Sequence, residues 1–155
     1  MIRHQPDLVL VAFGLNDSLG GPAGLAAFGE ALAEIAGRIR SRTEADLVFL
    51  TPPFMAEGFS ERIHPEHRDF AEKIIRTQKD GTLAAYAEKI REVARANDLP
   101  VADIHAGWAR LAASGVDTDL WLVNGLNHPD ARGHRFAATT VLHLLLSRYP
   151  SESPH

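Results

Sequence analysis

A three-layer α/β/α sandwich around a parallel sheet is the architecture this sequence predicts, and three observations lead there. Apolar runs of strand length alternate with stretches whose apolar residues recur every three or four positions. The strand-length runs are apolar throughout rather than at every second residue, as strands covered on both faces are. Strand, helix, strand, helix, strand, helix in that order requires crossover connections, which lay helices on the faces of a parallel sheet. The 155 residues, 45% of them apolar, suffice for one hydrophobic core. Positions 1–150 therefore read as one domain and Ser151–His155 as a disordered polar tail.

The elements follow in order. Asp7 to Phe13 is a continuous apolar run closed by Gly14, which predicts a strand buried on both faces. A helix opens near Pro22, whose fixed φ suits a first turn, and carries Leu25, Phe28, Leu32, Ile35 and Ile39 on one face. Asp46 to Thr51 is the second buried strand, stopped by Pro52-Pro53, which cannot continue a hydrogen-bonded ladder. Residues 54–79 read as an excursion over the strand ends, with a helix from about Pro65 that turns Phe70 and Ile74 inward. Asp80-Gly81-Thr82 supplies caps for a helix with Leu83, Tyr86, Ile90 and Val93 on one stripe. Leu99 to Ile104 is a short third strand, followed by a loop around Gly115. A polar segment from Asn124 to Gly133 leads into a last helix with Ala137, Val141, Leu144 and Leu145 facing in.

Composition removes several function classes. The net charge is −4 and no stretch concentrates Lys and Arg, so a nucleic-acid groove is not expected. The apolar runs are far shorter than the roughly 20 residues that cross a bilayer, so no membrane span is expected. The chain has no cysteine, which excludes disulfides and thiolate metal sites and leaves the compartment open. No signal peptide is legible at the amino terminus, so localisation stays undetermined. His64-Pro65-Glu66-His67 sets two imidazoles close together, but no third ligand stands at a recognisable spacing; neither a metal nor a cofactor is expected. Gly20-Gly21-Pro22-Ala23-Gly24 opens a helix that could take an anion, as in a flavodoxin-like binding domain, but it lacks a P-loop lysine.

In open parallel sheets ligands bind beyond the carboxyl ends of the strands, and two polar segments fall there. They are Gly14-Leu15-Asn16-Asp17, and Asn124 to Asp130 with Gly133-His134 close behind. Gln5 to Asp17, a buried strand closed by Gly-x-Asn-Asp, resembles the third conserved block of the SGNH (GDSL-type) hydrolases. Asn124 to His134, a His-Pro segment before a helix with a Gly-His pair, resembles their fifth block. The pieces between also resemble the family in order: a strand ending in Thr51-Pro-Pro, a helix from Tyr86 to Ala94, and the strand Val101 to Ile104. The resemblance covers almost the whole chain. It implies a flavodoxin-like SGNH hydrolase fold, and hydrolysis of small-molecule carboxylic esters, acetyl or other acyl esters of sugars or lipids among them.

The chemistry implied is nucleophilic acyl transfer, in which a serine attacks the ester carbonyl and a histidine takes its proton. By match to the motifs, His128 is the general base and Asn16 an oxyanion donor, while Gly14 permits the tight turn and Asp17 fixes the loop. Pro129 biases His128 toward extended dihedrals, so that its ring projects from a loop. The chain departs from the pattern in three places. The Gly-Asp-Ser block of the nucleophile and the second block's glycine are absent, as expected if the family's amino-terminal portion lies before Met1; the isolated chain is then catalytically incomplete. The acid expected three residues before His128 is replaced by Gly125, with Asn124 one position further back. Asn124 can orient an imidazole but brings no charge; Asp117, Asp119 and Asp130 are the alternative carboxylates. Asn16-Asp17-Ser18-Leu19 mimics a Gly-Asp-Ser-Leu signature, making Ser18 a rival nucleophile. His134, His143 and Asp103 read as structural, Trp108 and Trp121 as packing residues near the site's rim.

Without the family's first strand, the strand around Val9 exposes unpaired peptide groups. Another segment, a second copy in a homo-oligomer, or the missing part of a longer protein would cover it; the last fits the resemblance best. The other reading of function is a non-catalytic remnant of the fold serving as a binding or interaction module.

Overall fold

A computed structural model describes residues 2–148. The expected tail, Ser151–His155, and the last two positions of the expected domain lie outside the described residues. Three parallel strands, β1 (Leu8–Ala12), β2 (Asp46–Leu50) and β3 (Val101–Ala102), form one sheet in that order. Between and after them come α1 (Leu15–Ser18), α2 (Leu25–Arg40), α3 (Arg68–Lys79), α4 (Thr82–Ala96), α5 (Ile104–Ala113) and α6 (Ala131–Arg148). Single 3-10 turns at Pro22–Gly24, Pro65–His67 and Thr118–Trp121 join them.

Alternation along the strands divides the core in two. Val9, Val11, Leu47 and Phe49 point to one face, where Phe28, Leu32, Ala36 and Ile39 of α2 and Tyr86, Ile90, Val93 and Ala94 of α4 cover them. On the other face Leu50 packs with Ile104 and Trp108 of α5 and with Phe136 and Ala137 of α6. The same cluster takes in Ile74 of α3, Met55, Leu122 and Leu126, so it continues round the carboxyl end of the sheet. Helices thus lie on both faces of a parallel sheet, as the alternating pattern predicts.

Three sequence expectations change. The first strand is not covered on both sides: Leu8 is 38% and Leu10 45% exposed, because no described element covers that face of β1, which is also the sheet's edge. Phe13, just past the strand's end, is 52% exposed at the rim of the α2 side. Phe70 points outward; of the pair read as facing in, only Ile74 is buried. The stretch read as a loop after the third strand opens with α5, whose start is fixed by Asp103 accepting the Ala106 N–H at 3.1 Å.

The β1 edge has a definite hydrogen-bonding direction. The Asp46 N–H donates to the Asp7 carbonyl at 2.9 Å, and parallel pairing uses alternate residues. The peptide groups of Val9 and Val11 therefore turn toward β2, and those of Leu8, Leu10 and Ala12 turn outward.

Candidate active site

The turn after β1 is built around Gly14. Its φ of 106° is one that side chains rarely adopt, and a Cβ there would stand 3.2 Å from Ile90 Cδ1 and 3.3 Å from Phe28 Cζ. Its N–H donates to Asp17 Oδ2 at 2.9 Å, which closes the turn and starts α1. Asn16, on the outer side of this turn, is exposed. A cleft of about 410 Å³ opens beside it, walled by Phe13 and the Gly14–Asp17 turn on one side and by Leu50, Thr51, Pro52, Pro53 and Ile104 on the other. That volume is within the range of small-molecule sites.

The far wall is braced from behind. The Thr51 hydroxyl donates to Asp103 Oδ1 at 2.9 Å and accepts the His105 N–H at 2.9 Å. Arg91 of α4 bonds both oxygens of Asp103, each at 2.9 Å. Burial pushes the Asp103 carboxyl up, but the Arg91 guanidinium, the Ala106 N–H and the Thr51 hydroxyl outweigh it and hold the group below its ordinary range. His105 is buried against Phe54, with ring centroids 4.9 Å apart, and burial lowers its pKa.

His128 sits on an exposed loop between the 3-10 turn at Thr118–Trp121 and α6. The loop's place is fixed by the Ala56 N–H, just beyond Pro52-Pro53, which donates to the Leu126 carbonyl at 2.7 Å. Leu126 and Leu122 share an apolar cluster with Leu15 and Leu19, which flank Asn16 and Asp17. Gly14, Asn16 and Asp17 therefore meet at one cleft, and His128 stands outside the residues lining it.

No described residue hydrogen-bonds the His128 ring. Asn124 does not orient it: its Oδ1 accepts the N–H groups of Leu126, Asn127 and His128 at 3.0, 3.1 and 3.1 Å, and its Nδ2 donates to Asn127 Oδ1. The alternative carboxylates are also engaged. Asp117 caps the 3-10 turn through the Asp119 N–H, and Asp130 pairs with Arg132 and caps α6. Asp119 accepts the N–H groups of Glu57 and Gly58; burial pushes its carboxyl up against their pull. Ser18 is fully buried and its hydroxyl donates to the Leu15 carbonyl at 2.6 Å, away from any nucleophilic role. His64 and His67 approach to 5.8 Å between ring centroids, and no group of three metal-ligating side chains exists among the described residues.

The GDSL-like lipase/acylhydrolase family matches residues 1–136. The chain belongs to that family. No curated protein sequence matches it. Its fold is similar to an acetylxylan esterase from Geobacillus stearothermophilus, with a TM-score of 0.68 at 16% identity, covering 94% of this chain and 62% of that one. It is similar also to a lipase/acylhydrolase from Enterococcus faecalis (TM-score 0.67, 21% identity, 99% of this chain and 68% of that). An α/β hydrolase from the metagenome of Lake Arreo gives 0.66 at 20% identity, covering 93% of this GDSL-like chain and 62% of its own. The chain thus spans about 62% of the acetylxylan esterase's length.

Sequence reasoning missed the far wall of the cleft. Thr51-Pro52-Pro53 reads from sequence as a strand stop and as one of the connecting pieces that resemble the family, not as a wall of the site, although a polar residue and two prolines at a strand's carboxyl end stand where parallel sheets bind ligands.

Proposed function

We propose that this chain is the carboxy-terminal part of a serine-type carboxylic-ester hydrolase. His128 acts as general base, Asn16 donates to the oxyanion, and Gly14 with Asp17 holds the Asn16 turn. The observation that carries the reading is the cleft at the strand ends, with an exposed amide on a turn closed by Gly14 and Asp17. In the reaction a serine hydroxyl attacks the ester carbonyl, His128 accepts its proton, and the Asn16 N–H meets the charge that develops on the carbonyl oxygen. The apolar walls of Phe13, Pro53 and Ile104 suit esters of small acyl groups; the acetylated sugar of the Geobacillus esterase is one example of such a substrate.

The serine enters from outside residues 1–155, on a strand that pairs with β1. Support comes from the outward peptide groups of Leu8, Leu10 and Ala12, from the bare side chains of Leu8 and Leu10, and from the share of the relatives' length without a counterpart, since 62% of the acetylxylan esterase and 68% of the Enterococcus protein are covered. The chain alone is then inactive. The second reading, a non-catalytic binding module of the same fold, draws on the absence of a carboxylate at His128 among the described residues.

The test uses p-nitrophenyl acetate. Residues 1–155 alone turn it over no faster than their His128→Ala variant, and a fluorophosphonate probe labels none of their serines. Joined to an amino-terminal segment with a serine-bearing strand, the protein gains turnover that His128→Ala and Asn16→Ala remove. A joined, folded protein that stays inert favours the binding module, and turnover by the isolated chain that Ser18→Ala abolishes overturns the placement of the nucleophile.

A further inference from the structure

His128 is tied down at both of its main-chain groups. Its N–H donates to Asn124 Oδ1 at 3.1 Å, and its carbonyl accepts the Val123 N–H at 2.8 Å. One amide oxygen gathers three successive N–H groups, which winds residues 124–128 into a tight turn, and Gly125 supplies the φ of 66° that turn needs. Asn127 is buried and accepts the remaining Asn124 bond, so the two amides lock each other.

A second layer holds the turn from outside. Residues 56–63 lie against it: a Cβ on Gly125 would stand 2.6 Å from Ser60 Oγ and 3.1 Å from Ile63 Cγ1. Arg62 donates to the Leu120 carbonyl at 3.0 Å, and Asp119 accepts the Gly58 N–H at 3.0 Å. The segment leaving the end of β2 is thereby fastened to the loop before His128.

We infer that Asn124 is a positioning residue that places His128 through the main chain, in place of an acid bonded to its ring. This rests on the reading of His128 as the base. An asparagine used this way fixes where the imidazole starts but adds no charge beside it. The inference also says why an amide serves here: the three N–H groups need an acceptor, and Asp supplies one equally well, whereas Ala supplies none.

Backbone NMR on residues 1–155 tests this without any catalysis. In the wild type and in Asn124→Asp the His128 amide is rigid, with an order parameter near 0.85, and in Asn124→Ala it falls below about 0.6. The amides of Leu126 and Asn127 exchange about tenfold faster in Asn124→Ala, while Val48 in β2 reports an intact fold. Should Asn124→Ala fail to fold, Asn124→Asp against Asn124→Gln, whose longer side chain overshoots the turn, reads the same difference. A His128 amide that stays rigid in Asn124→Ala overturns the inference. So does an Asn124→Asp chain showing the far-downfield ring proton of a carboxylate-bound imidazole. In the joined, active protein Asn124→Ala lowers kcat with KM little changed, and Asn124→Asp restores it. If the NMR differences hold and the kinetic ones do not, the base assignment fails and the loop reading stands.

Discussion

At the scale of single residues, the cleft sets an exposed amide, Asn16, on a turn closed by Gly14 and Asp17 against a wall at Thr51 that Asp103 and Arg91 brace from behind. Gly14, Asn16 and Asp17 are legible because one short segment after a strand contains the whole device: a left-handed turn, its closing carboxylate and an outward amide. The bracing of the opposite wall is not legible. Thr51, Asp103 and Arg91 meet from three elements, and no periodicity in the sequence marks a hydrogen bond across 52 positions. The same holds for Asp119, whose bonds to Glu57 and Gly58 span about sixty residues and left it looking like a spare catalytic acid. Asn16 offers the sharpest test. Its side chain is exposed and holds no other described residue, so Asn16→Ala in the joined protein leaves Tm unchanged. It lowers kcat by about 10²–10³, the effect of removing one oxyanion donor. A loss confined to KM, or none, would remove Asn16 from the chemistry.

At the scale of elements, the strands and long helices follow from apolar spacing, whereas α5 and the state of β1 do not. The last turn of the third strand runs into α5 with Asp103 as its cap, and Ile104-His105-Ala106-Gly107-Trp108 gives too weak a stripe to announce a helix. The continuous run of β1 encodes a strand meant for cover on both faces, and the described residues supply it on one. An edge with outward peptide groups and bare leucines pairs with whatever strand it meets, and in a pure solution that is a second copy. The isolated chain therefore self-associates as its concentration rises, measurable by sedimentation velocity. Leu10→Lys, which places a charge on the uncovered face without touching the α2–α4 core, shifts it toward monomer. If wild type and variant are equally monomeric at high concentration, β1 is protected in a way its exposure does not reveal.

At the scale of the whole molecule, three titrating groups, His105 and Asp103 behind the cleft and Asp119 farther along the chain, tie stability to pH. Burial lowers the pKa of His105, with Arg91 adding to the effect and Asp103 and a hydrogen bond to the Pro52 backbone opposing it. An unfolded histidine takes up its proton near 6.5. As pH falls below about 6.5 the unfolded chain gains a proton that folded His105 refuses, so stability drops until pH reaches the folded pKa. Asp103 acts lower on the scale. Its folded pKa lies below the ordinary 3.8, so its contribution is intact above that value and is lost as pH falls through the folded one. Asp119, held above 3.8 by burial, runs the other way: it weakens the fold as pH rises from 3.8 through its folded pKa. Thermal unfolding followed from pH 7.5 to 4.5 thus shows a decline beginning near 6.5, well before ordinary carboxylates titrate. His105→Leu, neutral at every pH, flattens that decline; it removes an unpartnered buried Nδ1 but also the ring's hydrogen bond to the Pro52 backbone, so the slope against pH is the readout and not the Tm at pH 7.5. The slope due to one such group is at most about 1.4 kcal/mol per pH unit, which sets the difference to be resolved between the two curves. A wild-type curve already flat from 6.5 to 5, or a variant that keeps the wild-type slope, would mean that His105 exchanges its proton freely and that the packing behind Thr51 is looser than its burial implies.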